Sequence, residues 1–190
     1  MAFTQLDPHT ALLLIDLQHG VVALPVVHDA GEIVQRGAAL AAAFRVQGLP
    51  VVLVNVAGAA PGRTEQARPT GERPANWAEL VPELAVQPQD LRITKRTWGA
   101  FFHTDLHQQL QALGITQLVL AGIATSIGVE STARQAFELG YHVSVVTDAV
   151  TDMHADAHHN SITRIFPRLG ETGSTADLLA LLAARQPAGR

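Results

Sequence analysis

Short apolar runs rich in Val, Ile and Leu alternate along this chain with longer segments of helical period. Ala11 to Ile15, Val51 to Val56, Gln117 to Leu120 and His142 to Val146 read as strands, with Leu91 to Thr94 a further short one. Between the first two, Ile33, Val34, Ala38, Leu40, Ala41 and Phe44 predict a helix over Ala30 to Val46, apolar on one side and stopped by Gly48 and Pro50. A second helix is expected over about Asp105 to Leu113, capped by Thr104 and ended by Gly114. A third is expected over Ser126 to Leu139, with Glu130/Arg134 and Arg134/Glu138 at i,i+4 and Gly140 at its end. Ser174-Thr175-Ala176-Asp177 resembles a capping box with Asp for Glu, opening a last helix through Leu182. Strands that are apolar along their whole length must be covered on both faces, which a parallel sheet with helices on each side provides. The expectation is a three-layer α/β/α sandwich, doubly wound around a mainly parallel sheet of about six strands.

A length of 190 residues fits one domain over residues 1–190, with a frayed tail at 186–190. With 47% hydrophobic and 16% charged residues the chain can build a core, which sets aside a disordered chain. No apolar run approaches the roughly 18 residues of a membrane span, so no membrane partner is expected. The first residues carry no basic segment followed by an apolar one, so a cytoplasmic protein is expected. Thirteen Lys and Arg residues are scattered along a chain of net charge −4, which gives no stripe for a phosphate backbone and no nucleic-acid partner. There is no cysteine, which removes disulfides, thiolate metal sites and every cysteine-based mechanism.

In parallel sheets the ligand lies beyond the carboxyl ends of the strands, so the residues after each strand come first. The first strand runs into Asp16-Leu17-Gln18, and Leu91-Arg92-Ile93-Thr94 delivers Lys95 at the same edge. The fourth runs into Ala121-Gly122-Ile123-Ala124-Thr125-Ser126-Ile127-Gly128, where a helix begins whose first amides have no partner within it and favour negative charge. The stretch from Ala57 to about Asn76, rich in Gly, Pro and Arg, is long enough to form part of a site's wall.

The ordered set Leu13-Leu14-Ile15-Asp16-Leu17-Gln18, Thr94-Lys95-Arg96 with Ala100-Phe101, and Ala121-Gly122-Ile123-Ala124-Thr125 with Val129-Glu130-Ser131-Thr132-Ala133 resembles the isochorismatase-like hydrolases from about residue 10 to 182. In that family's cysteine hydrolases an Asp, a Lys and a Cys form the catalytic group, and the place of the Cys holds Gly128 here. True isochorismatases also have Gly there and cleave a vinyl ether without a covalent intermediate. The resemblance therefore implies the branch lacking the cysteine, with Asp16 as acid, Lys95 as its partner and Gly128 beside them. It also implies a cis peptide between Ile123 and Ala124 that aims the amides of Ala124 and Gly128 at a substrate oxygen, and a homo-oligomer. Two departures stand out: Ala124 replaces a Tyr, and Arg68 or Arg63 must supply the loop Arg that holds substrate carboxylates. Asn55-Val56-Ala57-Gly58 lacks the Asp and His ligands of the metal-binding nicotinamidases, so no metal and no cofactor are expected. Gln18, Trp98 and Phe101 join Ala124 and Arg68 as expected contacts of a small-molecule substrate.

Each residue has a plainer reading beside the functional one. Asp16 and Lys95 are also what a strand-end ion pair would use, and Lys95 would lower a carboxyl pKa that burial would raise. Gly128 serves packing as readily as ligand room. Ser126 reads as an N-cap rather than a substitute nucleophile. His154, His158 and His159 read as a solvated or interfacial helical turn rather than metal ligands. His19 and His103 could line the pocket or lie on the surface. Trp98, Phe101 and Phe102 are open between a planar pocket wall and core or subunit packing. Two rival functions remain: a binding protein that lost its nucleophile, and an amide hydrolase that activates water directly.

Overall fold

A computed structural model describes residues 3–66 and 71–185. Its sheet contains β1 Thr10–Ile15, β2 Val51–Val56, β3 Leu91–Lys95, β4 Gln117–Ile123, β5 His142–Thr151 and β6 Gly170–Gly173. The order is β3-β2-β1-β4-β5-β6, and every neighbouring pair is parallel. The helices are α1 His19–Val22, α2 Ala30–Val46, α3 Leu106–Ala112, α4 Glu130–Glu138, α5 Ala155–Asn160, α6 Phe166–Leu169 and α7 Thr175–Ala184.

The alternation along β1 explains the three layers. Leu12 and Leu14 pack with Ile33, Leu40 and Phe44 of α2 and Leu178 of α7, whereas Ala11, Leu13 and Ile15 pack with Leu106 of α3 and Ala133 and Ala136 of α4. Successive side chains of a strand point to opposite faces, so a run of six buried residues feeds two cores at once. Asp29 caps α2 by accepting from the amides of Gly31 and Glu32, and the capping box at Ser174 and Asp177 is formed.

Several boundaries differ from the sequence expectation. β4 continues through Ala121 and Gly122 because these pair with Leu14 and Ile15 of β1. Gly122 has φ +125°, and a Cβ there would run into the backbone of Ile15, so only glycine permits the approach. β5 runs five residues past Val146, and β6, Gly-Glu-Thr-Gly, has no apolar run by which to be recognised; it forms by pairing with Val143–Val146. The segment expected to begin a helix at Ser126 starts as a π-helical turn, Thr125–Val129, before α4. Its N-cap is Ala124, and Ser126 donates both its amide and its hydroxyl to Asp152 Oδ2, at 2.7 and 2.8 Å. Ser126 is therefore not the cap; a buried acid beyond β5 takes that amide instead. Thr104 accepts from Leu106 N at 3.4 Å, one residue ahead of the formal cap Asp105.

The chain passes from β1 to β2 and β3 on one side, then crosses to β4 on the other. That switch point lies between the carboxyl ends of β1 and β4, where Asp16 and Ala124 follow their strands and where open α/β sheets bind their ligands.

Candidate active site

Asp16 leaves β1 with φ +54°, a left-handed conformation that a non-glycine residue adopts at some cost. The surroundings hold it there: its amide donates to Val54 O at 2.8 Å, and its carbonyl accepts from Gln18 N at 2.9 Å. The twist turns the carboxylate toward the last residue of β3. Lys95 Nζ donates to Asp16 Oδ2 at 2.6 Å and to the carbonyl of Thr97 at 3.3 Å. Both side chains are nearly closed to solvent, 7% exposed for Asp16 and 1% for Lys95. Asp16 Oδ1 is buried and accepts no hydrogen bond from the described residues.

Burial raises the Asp16 carboxyl pKa, and the charge and hydrogen bond of Lys95 pull it back; the outcome is about 6, against an ordinary 3.8. The competition that the sequence left open goes to burial. A carboxyl near 6 can give or take a proton near neutral pH, which an ordinary surface carboxylate does poorly.

The third member of the set is also in place. A Cβ on Gly128 would stand 3.2 Å from Asp16 Oδ2 and 3.1 Å from Ile15 Cγ2, so this position faces the carboxylate directly. The Ile123–Ala124 peptide is cis, and Ala124 is buried at the start of the turn. Ile127 and Val129 direct their amides to the carbonyl of Ala124.

With this geometry, the family can be read from comparison. The Isochorismatase domain model matches residues 10–177. The chain belongs to the isochorismatase family of hydrolases. It is 45% identical over 177 residues to the isochorismatase family protein YwoC of Bacillus subtilis, spanning 90% of this chain and 92% of that one. The structure of an isochorismatase family protein from Burkholderia thailandensis matches with a TM-score of 0.90 and 45% identity, covering 94% of this chain and 98% of that chain. A shorter match, 39% identical over 100 residues, covers 52% of this chain and 44% of the ureidoacrylate amidohydrolase RutB of Caulobacter vibrioides.

Not every residue expected at this isochorismatase-family site reaches it. Gln18 is fully buried and its amide is spent on structure: Nε2 donates to the carbonyls of Val56 and Trp77, each at 3.0 Å, and Oε1 accepts from Val56 N at 2.7 Å. It clamps the long loop rather than offering donors to a substrate. Phe101 stacks on Tyr141, with ring centroids 6.0 Å apart, and packs against the second core, so of its two readings the packing one holds. Trp98 is 63% exposed. Arg68 lies outside the described residues, and Arg63 is on the exposed part of the loop. Arg73, which the sequence reading passed over, lies 3.9 Å above the Trp77 ring. The loop returns over the site edge through His19 N to Glu79 O, Gly20 N to Trp77 O and Val81 N to Leu17 O.

Asp152 and Thr125 were also missed. Both are fully buried; Thr125 opens the π-helical turn and Asp152 holds it through Ser126. The strand-end rule that exposed Asp16 would have found Asp152 had β5 been traced to its true end. Among the described residues no group of three or more His, Asp or Glu side chains is arranged to hold a metal, and no helix is long and apolar enough to cross a membrane.

Proposed function

We propose that this chain is a cysteine-independent hydrolase of a small carboxylated or carbonyl-containing molecule, with Asp16 as acid/base and Lys95 as its electrostatic partner. One observation carries the reading: Asp16 has a carboxyl with a pKa of about 6, one oxygen held by Lys95 and the other without a partner among the described residues. A structural ion pair has no use for a free oxygen, whereas a proton-transfer group requires one. In vinyl-ether hydrolysis Oδ1 gives its proton to the enol-ether carbon, water captures the oxocarbenium ion, and the hemiketal collapses to release pyruvate. The Lys95 ammonium then stabilises the carboxylate left behind.

The match to RutB favours a second reading, amide hydrolysis in which ionised Asp16 takes a proton from the attacking water. With no cysteine in the chain, neither route passes through a thioester. The test is a substrate screen that includes isochorismate, with pyruvate detected, and ureido and carboxamide compounds, with ammonia detected, run beside Asp16→Asn. Turnover of one class and its loss in the variant are expected; an Asn variant of near-normal turnover removes Asp16 from the mechanism.

A further inference from the structure

Behind the turn that carries Ala124 and Gly128 lies a pair of histidines that the proposed reaction does not use. His158 of α5 places Nδ1 2.8 Å from the hydroxyl of Thr125, the residue that follows Ala124. His28, from the segment before α2, places Nδ1 2.9 Å from the hydroxyl of Thr151, which pairs with Ile123 in the sheet. The two rings meet with centroids 4.8 Å apart at 59°. The arrangement thus reaches both residues that flank the Ile123–Ala124 peptide, one along the chain and one across the ladder.

Three side-chain links join the turn and the start of α4 to the segment 152–161: Ser126 to Asp152, Ser161 to Glu130, and Thr125 to His158. Only the last contains an imidazole, whose ordinary pKa lies within the physiological range. Thr125 is fully buried. In the Nε2–H tautomer of the neutral ring, the Thr125 hydroxyl donates to Nδ1. Once Nδ1 must donate, the hydroxyl has to accept and turn its own proton toward another partner inside the core. Burial and the neighbouring His28 hold His158 below the usual histidine range, Asp152 pulls the other way, and His159 adds to the lowering. Arg36 and Asp148 line the hollow beside His28.

We propose that His158, backed by His28, is a positioning residue for the catalytic turn: in its neutral form it fixes Thr125, and protonation of the pair releases the turn and lowers turnover without contact with Asp16. The inference rests on the assignment of Asp16 as the reacting group. Proton NMR of the histidine Cε1–H signals against pH, in the whole protein, tests the pair without any substrate. His158 should titrate at lower pH than a free imidazole, and its midpoint should rise in His28→Gln. Kinetics on the substrate found by the screen test the consequence. His158→Leu should lose about ten-fold in kcat, with KM less affected, as expected for a turn displaced by a fraction of an ångström. His158→Asn, which keeps a hydrogen-bonding group near Nδ1 but cannot titrate, should recover most of that loss and remove one ionisation from the acid side of the kcat/KM profile. A His158→Leu variant with native near-ultraviolet circular dichroism and an unchanged pH profile overturns the proposal while leaving Asp16 in its role. An active Asp16→Asn variant instead overturns the catalytic assignment, and the NMR titration still reports on the pair.

Discussion

The carboxylate of Asp16 is held by a left-handed backbone, a buried ammonium and a dry surrounding, and each makes a measurable demand. With a pKa of about 6, it should impose an inflection near pH 6 on kcat/KM, and the direction identifies the chemistry. Activity that falls above pH 6 indicates the protonated acid of vinyl-ether cleavage; activity that rises through pH 6, and still does so in His158→Asn, indicates the ionised base of amide hydrolysis. Lys95→Met should move the inflection to higher pH, because it removes the charge and hydrogen bond that oppose burial. Asp16→Asn should lose at least about 10²-fold in turnover. It should also lower Tm, because a buried Lys95 ammonium then loses its counter-charge. Gly128→Ala tests the space beside the carboxylate. Alanine is favoured over glycine in a helix, but here its methyl would press on Ile15 Cγ2 and on an Asp16 oxygen already pinned by Lys95. The expected result is no gain in melting temperature and a fall in kcat/KM; a stable, fully active alanine variant would show that substrate does not occupy this side of Asp16. That Asp16, Lys95 and Gly128 meet at one edge of the sheet was legible from their places in the motifs. Their electrostatic balance was not, because desolvation depends on neighbours far away in the chain.

At the scale of elements, the long loop and the Ala124–Gly128 turn are both held by side chains that look unremarkable in the sequence. Gln18 joins β1 to β2 and to the loop at Trp77 through three hydrogen bonds. Gln18→Ala should cost about 1–3 kcal/mol and speed tryptic cleavage after Arg63, since it unties the loop and leaves the Val56 amide without its acceptor. Cleavage at the wild-type rate would mean that the backbone links to Leu17, His19 and Gly20 suffice. The helix of Ala30–Val46 and the Ser174 cap were readable because period and capping are local properties. The π-helical turn at Thr125–Val129 was not, because its extra residue is stabilised by Asp152, 26 positions from Ser126. The strand β6 escaped for the same reason: its partner, rather than its composition, makes it a strand.

Taken as a whole, the molecule should show in its stability the burden of a buried acid. Between pH 3.8 and about 6 the folded chain keeps a proton on Asp16 that the unfolded chain has released. The contribution of this group to stability is therefore full below pH 3.8 and is lost as pH rises through 6, an interval worth roughly 3 kcal/mol. Urea melts of wild type and Asp16→Asn across that range should show the difference between them shifting against the wild type as pH rises; a constant difference would mean that Asp16 ionises in the fold as freely as in the unfolded chain. The sequence by itself determined the layered parallel fold, the family and the edge of the sheet on which Asp16, Lys95 and the Ala124–Gly128 turn lie, because apolar period, turn residues and motif order are written along the chain. Only the tertiary structure decided that burial outweighs Lys95 at Asp16, that Gln18 and Phe101 serve packing, and that His28 and His158 stand behind the Ala124–Gly128 turn. Those outcomes depend on distances between residues 38 to 130 positions apart, from Gln18 and Val56 to His28 and His158, and no local pattern encodes them.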